Sequence, residues 1–255
     1  QTAKALEYST LREKKTVFRN WLENVINHCK GFLGKYEGYY GFLILIAIDH
    51  AEPPAKFLSK QLQPYEGYFV SVLAGNQILL RCFSEDPEPL HRMSKELSVQ
   101  SLADGVSFFA STVTRSSDEL AGDLQKLLSY SCLRVAKGSS RFYYLKPLLA
   151  SSRELLDFCS LCVRWQTACF QQNYSEFTNC SEQICRQLEQ DLSLTACQNE
   201  IHRFFRRTLD SQSPLPMDTA QLRGVFLEHA RGFIHASGND RPAQAIIQYI
   251  QEHYC

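Results

Sequence analysis

The chain has 255 residues, 44% of them hydrophobic, and 27 basic side chains against 27 acidic ones. That length suits one large domain or two modest ones, and two are expected. The charge balance excludes a global field that would draw the chain to nucleic acid or to an anionic membrane, so any DNA contact is expected from outside it. No apolar run approaches the ~18 residues needed to cross a bilayer, and the first residues have neither the charged start nor the apolar stretch of a signal peptide. A soluble, cytoplasmic chain without membrane contact is expected.

Ten cysteines would suit a secreted disulfide scaffold, but that class is short and loop-rich, and these sit mostly in amphipathic helical stretches. Reduced, packed thiols are expected. Asn173-Tyr174-Ser175 and Asn179-Cys180-Ser181 match the glycosylation pattern, which carries almost no weight without a secretion signal.

From Thr2 to about Lys30 the sequence is charged, free of Gly and Pro, and carries Leu11, Phe18, Trp21, Val25 and Phe32 near heptad spacing. This predicts a helical stalk over residues 1–35. Its stripe suits either a second copy of itself, giving a homodimer, or the domain that follows. Gly31, Gly34, Gly38 and Gly41 interrupt the helix, and Phe42 to Ile48 is then a continuous apolar run of strand length.

Pro53-Pro54 opens a short predicted helix to about Leu62, and Tyr68 to Leu73 reads as a strand. Gly75-Asn76 tolerates positive φ and predicts a hairpin into a strand over Ile78 to Phe83. Glu88 to Leu102 reads as a helix, Val106 to Ser111 as a strand, Ser117 to Val135 as a helix behind a Ser-Asp-Glu cap, and Phe142 to Leu145 as a last strand. The fold class expected is α+β, with a mainly antiparallel sheet and packed helices over residues 36–147.

Beyond Pro147 helical periodicity runs almost unbroken to His235, with one break expected at Ser211 to Pro216, so residues 148–236 are predicted to be an all-helical domain. Ser237 to Asp240 makes a linker, and Pro242 opens a final helix within residues 237–255. The chain begins at Gln1 and stops at Cys255 inside that helical pattern, which predicts that both ends are cuts through a longer polypeptide.

That last stretch, Ala245-Ile246-Ile247-Gln248-Tyr249-Ile250-Gln251-Glu252-His253-Tyr254, resembles the first helix of the AraC-type helix-turn-helix domain. The middle unit is similar to the degenerate cyclase-like domain found between receiver and DNA-binding domains in YesN-type response regulators. The likeness covers residues 1–147 loosely and 241–255 more specifically, in the order such a regulator requires.

The likeness to diguanylate cyclases, the GGDEF family, extends to chemistry. In that family the hairpin between the second and third strands carries Gly-Gly-Asp/Glu-Glu-Phe, whose carboxylates serve metal-assisted phosphoryl transfer. Here the hairpin reads Ala74-Gly75-Asn76-Gln77-Ile78. Amides replace both acids and supply no charge to hold Mg²⁺ beside a triphosphate. Ala47-Ile48-Asp49-His50 stands where the family has Asp-Ile-Asp-His, so Ala47 takes the place of the leading metal-binding Asp. The resemblance implies a fold kept and a reaction abandoned, with no catalytic residue, metal or cofactor. It leaves Asp49, His50, Gly75, Asn76 and Gln77 as the candidate ligand cleft.

Three other features have both a chemical and a bland reading. Cys159-x-x-Cys162 with Cys169, followed by Cys180 and Cys185, suggests zinc, but a helix restrains the tetrahedral geometry and no finger-spaced partner pair exists. Core packing is preferred. His202-Arg203-Phe204-Phe205-Arg206-Arg207 combines charge and aromatics as a phosphate-binding patch would, although a solvated helix face with two core phenylalanines is the preferred reading. His28 and His50 have no nucleophile or carboxylate arrangement beside them in the sequence.

The function expected is therefore a non-catalytic signal-relay and dimerisation region of a bacterial AraC/YesN-like transcription regulator. Its partners would be a second copy, DNA through a helix-turn-helix domain beyond Cys255, and an upstream receiver or membrane sensor. The alternative is a small-molecule sensor that uses the former cyclase cleft.

Overall fold

The computed structural model describes residues 38–50, 68–73, 76–211 and 213–237. The expected stalk, the helix after Pro53 and the helix after Pro242 lie outside them. The chain divides into two compact units. Of the described residues, a sheet unit takes 38–48, 68–73, 76–131 and 140–151, and a helical unit takes 49–50, 132–139, 152–211 and 213–237. The fold is mixed α and β.

In the sheet unit, β1 (Tyr40–Ile48), β2 (Tyr68–Leu73), β3 (Gln77–Ser84), β4 (Val106–Ala110) and β5 (Phe142–Tyr144) form one sheet in the order β2-β3-β1-β4-β5. β1 lies between β3 and β4 and is antiparallel to both, β2 is antiparallel to β3, and β5 is parallel to β4. β1 and β2 thus run the same way on either side of β3, and β3 and β4 the same way on either side of β1, the interleaved order of a split βαβ arrangement.

The apolar run of β1 follows from burial on both faces, because successive side chains alternate across a strand. Phe42, Ile44, Ile46 and Ile48 share one face with Ile78, Leu80, Val106 and Phe108, packed against Leu90 and Leu97 of α1 (Pro87–Val99). The other face carries Leu43 and Leu45, paired with Arg81, Leu79 and Phe109. Helix α2 (Ser117–Tyr130) packs against β1 and buries Leu120, Leu124 and Leu127. Gly41 leaves room at that crossing: a Cβ there would come too close to Leu120 Cδ1 and force that side chain to shift.

Both helices start where local chemistry dictates. Asp86 accepts from the Glu88 amide with Pro87 in the first turn of α1, and Ser116 accepts from the Glu119 amide at α2. α2 ends sooner than the periodicity predicts: a 3₁₀ turn occupies Ser131–Leu133 and a separate one-turn helix α3 covers Arg134–Lys137. Leu145–Leu148 forms the short α4.

The helical unit holds α5 (Arg153–Phe170), α6 (Tyr174–Gln190), α7 (Gln198–Thr208) and α8 (Thr219–Ser237). The helical run breaks at more places than Ser211 to Pro216. Gln172 takes φ of 52° and Asn173 caps α6 by accepting from the Glu176 amide at 3.1 Å. A 3₁₀ segment over Leu192–Cys197 then separates α6 from α7. α6 packs against α5 and α8. Their shared core centres on Trp165, whose ring lies 5.1 Å from Phe177, 5.0 Å from Phe205 and 4.9 Å from Phe226. Its indole N–H donates to Ser181 Oγ at 2.9 Å, which satisfies the one polar atom that burial would otherwise strand. No helix of the described residues is long and apolar enough to cross a membrane.

Candidate functional site

Asp49, the residue directly after β1, has no exposed surface. A carboxylate so placed needs a counter-charge and donors, because desolvating it alone costs several kcal/mol. Arg134, at the start of α3, donates Nε to Asp49 Oδ1 at 2.7 Å and is itself buried. Gly138 ends α3 with φ of 96°, a left-handed backbone that turns the chain back, and the next residue, Ser139, donates its hydroxyl to Asp49 Oδ2.

The network extends into the helices. Arg134 Nη2 donates to Gln166 Oε1 of α5 at 3.0 Å. Gln166 Nε2 donates to the Asp49 carbonyl at 3.3 Å and to Thr208 Oγ1, at the end of α7, at 3.2 Å. The Arg134 guanidinium stands 5.7 Å from the Phe204 ring centroid, a cation–π approach in a site closed to water. Four separate stretches of sequence, those of Asp49, Arg134, Gln166 and Thr208, thus meet in one buried network.

This geometry changes the role of the expected cleft residues. Asp49 does not line an open cleft: both its oxygens are engaged within the helical unit and it is fully enclosed. His50 beside it is half-buried. Asn76 adopts φ of 30° in the turn before β3, a conformation asparagine tolerates, and its carbonyl accepts from the Ile48 amide at 3.0 Å. Gln77 Nε2 donates to Ser131 Oγ at 3.4 Å. Gly75 lies outside the described residues, as do Leu11, Phe18, Trp21 and Val25 of the expected stalk.

The cysteines of the helical stretch are packed thiols. Cys159, Cys162, Cys169, Cys180 and Cys185 are all buried. Burial pushes the Cys169 thiol up to about 12 and those of Cys180 and Cys185 to about 11, so each stays protonated at neutral pH. Among the described residues no three His, Cys, Asp or Glu side chains converge as metal ligands.

One pairing was not legible from the sequence. Cys169 Sγ on α5 lies 3.4 Å from His229 Nε2 on α8, 60 positions apart, at a groove of about 480 Å³ that Glu228 also lines. Burial holds the thiol up and the imidazole of His229 down. The pair is thereby a neutral thiol and a neutral imidazole rather than the thiolate and imidazolium of an activated nucleophile.

Compared with protein-family models, with curated proteins and with solved structures, the chain matches none.

Proposed function

We propose that this chain is a non-catalytic, cytoplasmic regulatory region of a bacterial AraC/YesN-like transcription regulator, relaying a signal from an upstream receiver or sensor to DNA-binding helices beyond Cys255. The observation that carries the reading is the state of Asp49. On the resemblance to cyclases, Asp49 is the acid left in the first-strand motif, and here its carboxylate is neutralised by Arg134 and bonded by Ser139. A carboxylate held this way is not available to share a divalent ion with a triphosphate. The sheet order, with β2 and β3 neighbours and antiparallel, is compatible with a degenerate cyclase-like domain.

A relay also needs a mechanical route. Among the described residues the chain passes between the sheet and helical units after Ile48, Ser131, Ser139 and Ser151. A displacement of the end of β1 bears through one peptide bond on Asp49, and from there on α3, α5 and α7. In this account an altered pairing of the stalk at Leu11, Phe18, Trp21 and Val25 is the input, and the strain on that network is the transmitted quantity. The enclosure of Asp49 weighs against the alternative of a ligand sensor in the former cyclase cleft, which requires that carboxylate to be open.

Three measurements test the proposal. The reading frame past Cys255 should encode a further ~80–100 residues with two helix-turn-helix patterns and a basic balance. The chain incubated with GTP and Mg²⁺ should form no cyclic dinucleotide, and product formation would contradict the reading. Trp21→Asp should lower the mass found by light scattering, and an unchanged mass would remove the stalk-paired dimer from the account.

A further inference from the structure

Helix α7 sorts its side chains by face. Ile201, Phe204, Phe205 and Thr208 are buried, which places Phe204 and Phe205 in the core. Asn199, His202, Arg203 and Arg206 stand at i, i+3, i+4 and i+7, a single helical stripe, and line a groove of about 330 Å³ with Leu215 and Met217 of the following loop.

Three features of that stripe exceed what a solvated helix face requires. His202 is only 6% exposed, yet neither ring nitrogen has a hydrogen-bond partner among the described residues. Buried polar atoms are nearly always paired, so an imidazole with both nitrogens unmet marks a place where something else supplies the partner. Arg203 spends one nitrogen on Glu200 at 2.9 Å, and the Arg206 guanidinium has no ion pair among the described residues. The lining also has an apolar part, Pro214, Leu215 and Met217, the last left 52% exposed.

We propose that this groove binds a small organic anion, a molecule with a carboxylate or phosphate at one end and an apolar body. Arg206 and the free edge of Arg203 present fork-shaped donors that suit either acid group bidentately. The His202 ring carries one N–H, which serves the acid group in the tautomer whose protonated nitrogen faces the groove. The apolar body lies over Leu215 and Met217. This site lies in the helical unit and is independent of the regulator reading, so the two stand or fall separately.

The test is to titrate the full chain with phenyl phosphate, benzoate and inorganic phosphate, reading heat by calorimetry and the histidine ring signals by NMR. Phenyl phosphate or benzoate should saturate at one per chain and move the His202 signals more than those of His229. The tighter of the two names the acid group, and inorganic phosphate should bind several-fold more weakly for want of the apolar body. Arg206→Ala should weaken binding at least ten-fold, His202→Phe should weaken it while keeping ring volume and melting temperature, and Arg164→Ala, on α5 and paired with Glu176, should leave it unchanged. Saturation by none of the three probes would overturn the inference, as would binding unaltered by both Arg206→Ala and His202→Phe. Inorganic phosphate binding as tightly as phenyl phosphate would overturn the assignment of an organic ligand.

Discussion

In the sheet unit the wholly enclosed side chains along β1 are Ile44, Leu45, Ile46 and Ala47, whereas in the helical unit the same degree of burial is given to Asp49, with Arg134 almost as deep. The sheet core is specified by volume and alternation, and it can be trimmed or refilled by neighbours of similar size. The Asp49 network, set beside the aromatic core around Trp165, is specified by charge and hydrogen-bond direction. A buried ion pair adds little net stability, because desolvation offsets its attraction, but breaking it leaves a stranded charge. The contrast teaches that sensitivity to substitution and contribution to stability are different properties of a residue.

The largest expected effect follows from that contrast. Arg134→Met removes the counter-charge of Asp49 while keeping much of the side-chain volume, and should lower unfolding free energy in urea by about 3–5 kcal/mol. In the sheet unit, Gly41→Ala forces its new methyl into Leu120 and should cost about 1–3 kcal/mol, the usual range for overpacking. Ile44→Val, which deletes one methylene from the apolar core, should cost only about 0.5–1.5 kcal/mol. A loss as large as that of Arg134→Met would break the comparison.

The smallest effect is one of pH. Burial lowers the pKa of His202 and of His229 below the ordinary 6.5. The unfolded chain therefore takes up protons at those two positions before the folded one does. Their contribution is fully present above pH 6.5 and is lost as pH falls through the lower folded values. Urea midpoints should drop from pH 7 toward pH 5, and His202→Phe should flatten part of that slope.

Much of the sheet unit was legible because strand signals are local. The run Phe42 to Ile48, the strand Tyr68 to Leu73 and the serine cap of α2 each lie within a few residues of the element they specify. The breaks in the helical unit were not, although Asn173 with Glu176 three positions on is a capping signal at the start of α6. No Gly or Pro marks that turn, and polar residues on a helix surface resemble those of a loop. The Asp49 network was invisible for a different reason. Asp49, Arg134, Gln166 and Thr208 are separated by 85, 32 and 42 positions, so no spacing rule connects them. The basic stripe of α7 could be read from the sequence as a pattern, but the unmet nitrogens of His202 are a property of packing alone.

The central claim is that Asp49 is a structural charge held by Arg134. A double-mutant cycle on Asp49→Asn and Arg134→Met, measured by urea unfolding, tests it most directly. The account predicts that the double variant is more stable than Arg134→Met alone, with a coupling of about 2–3 kcal/mol between the two positions. Additive losses, with coupling near zero, would contradict it and return Asp49 to the ranks of residues available for binding.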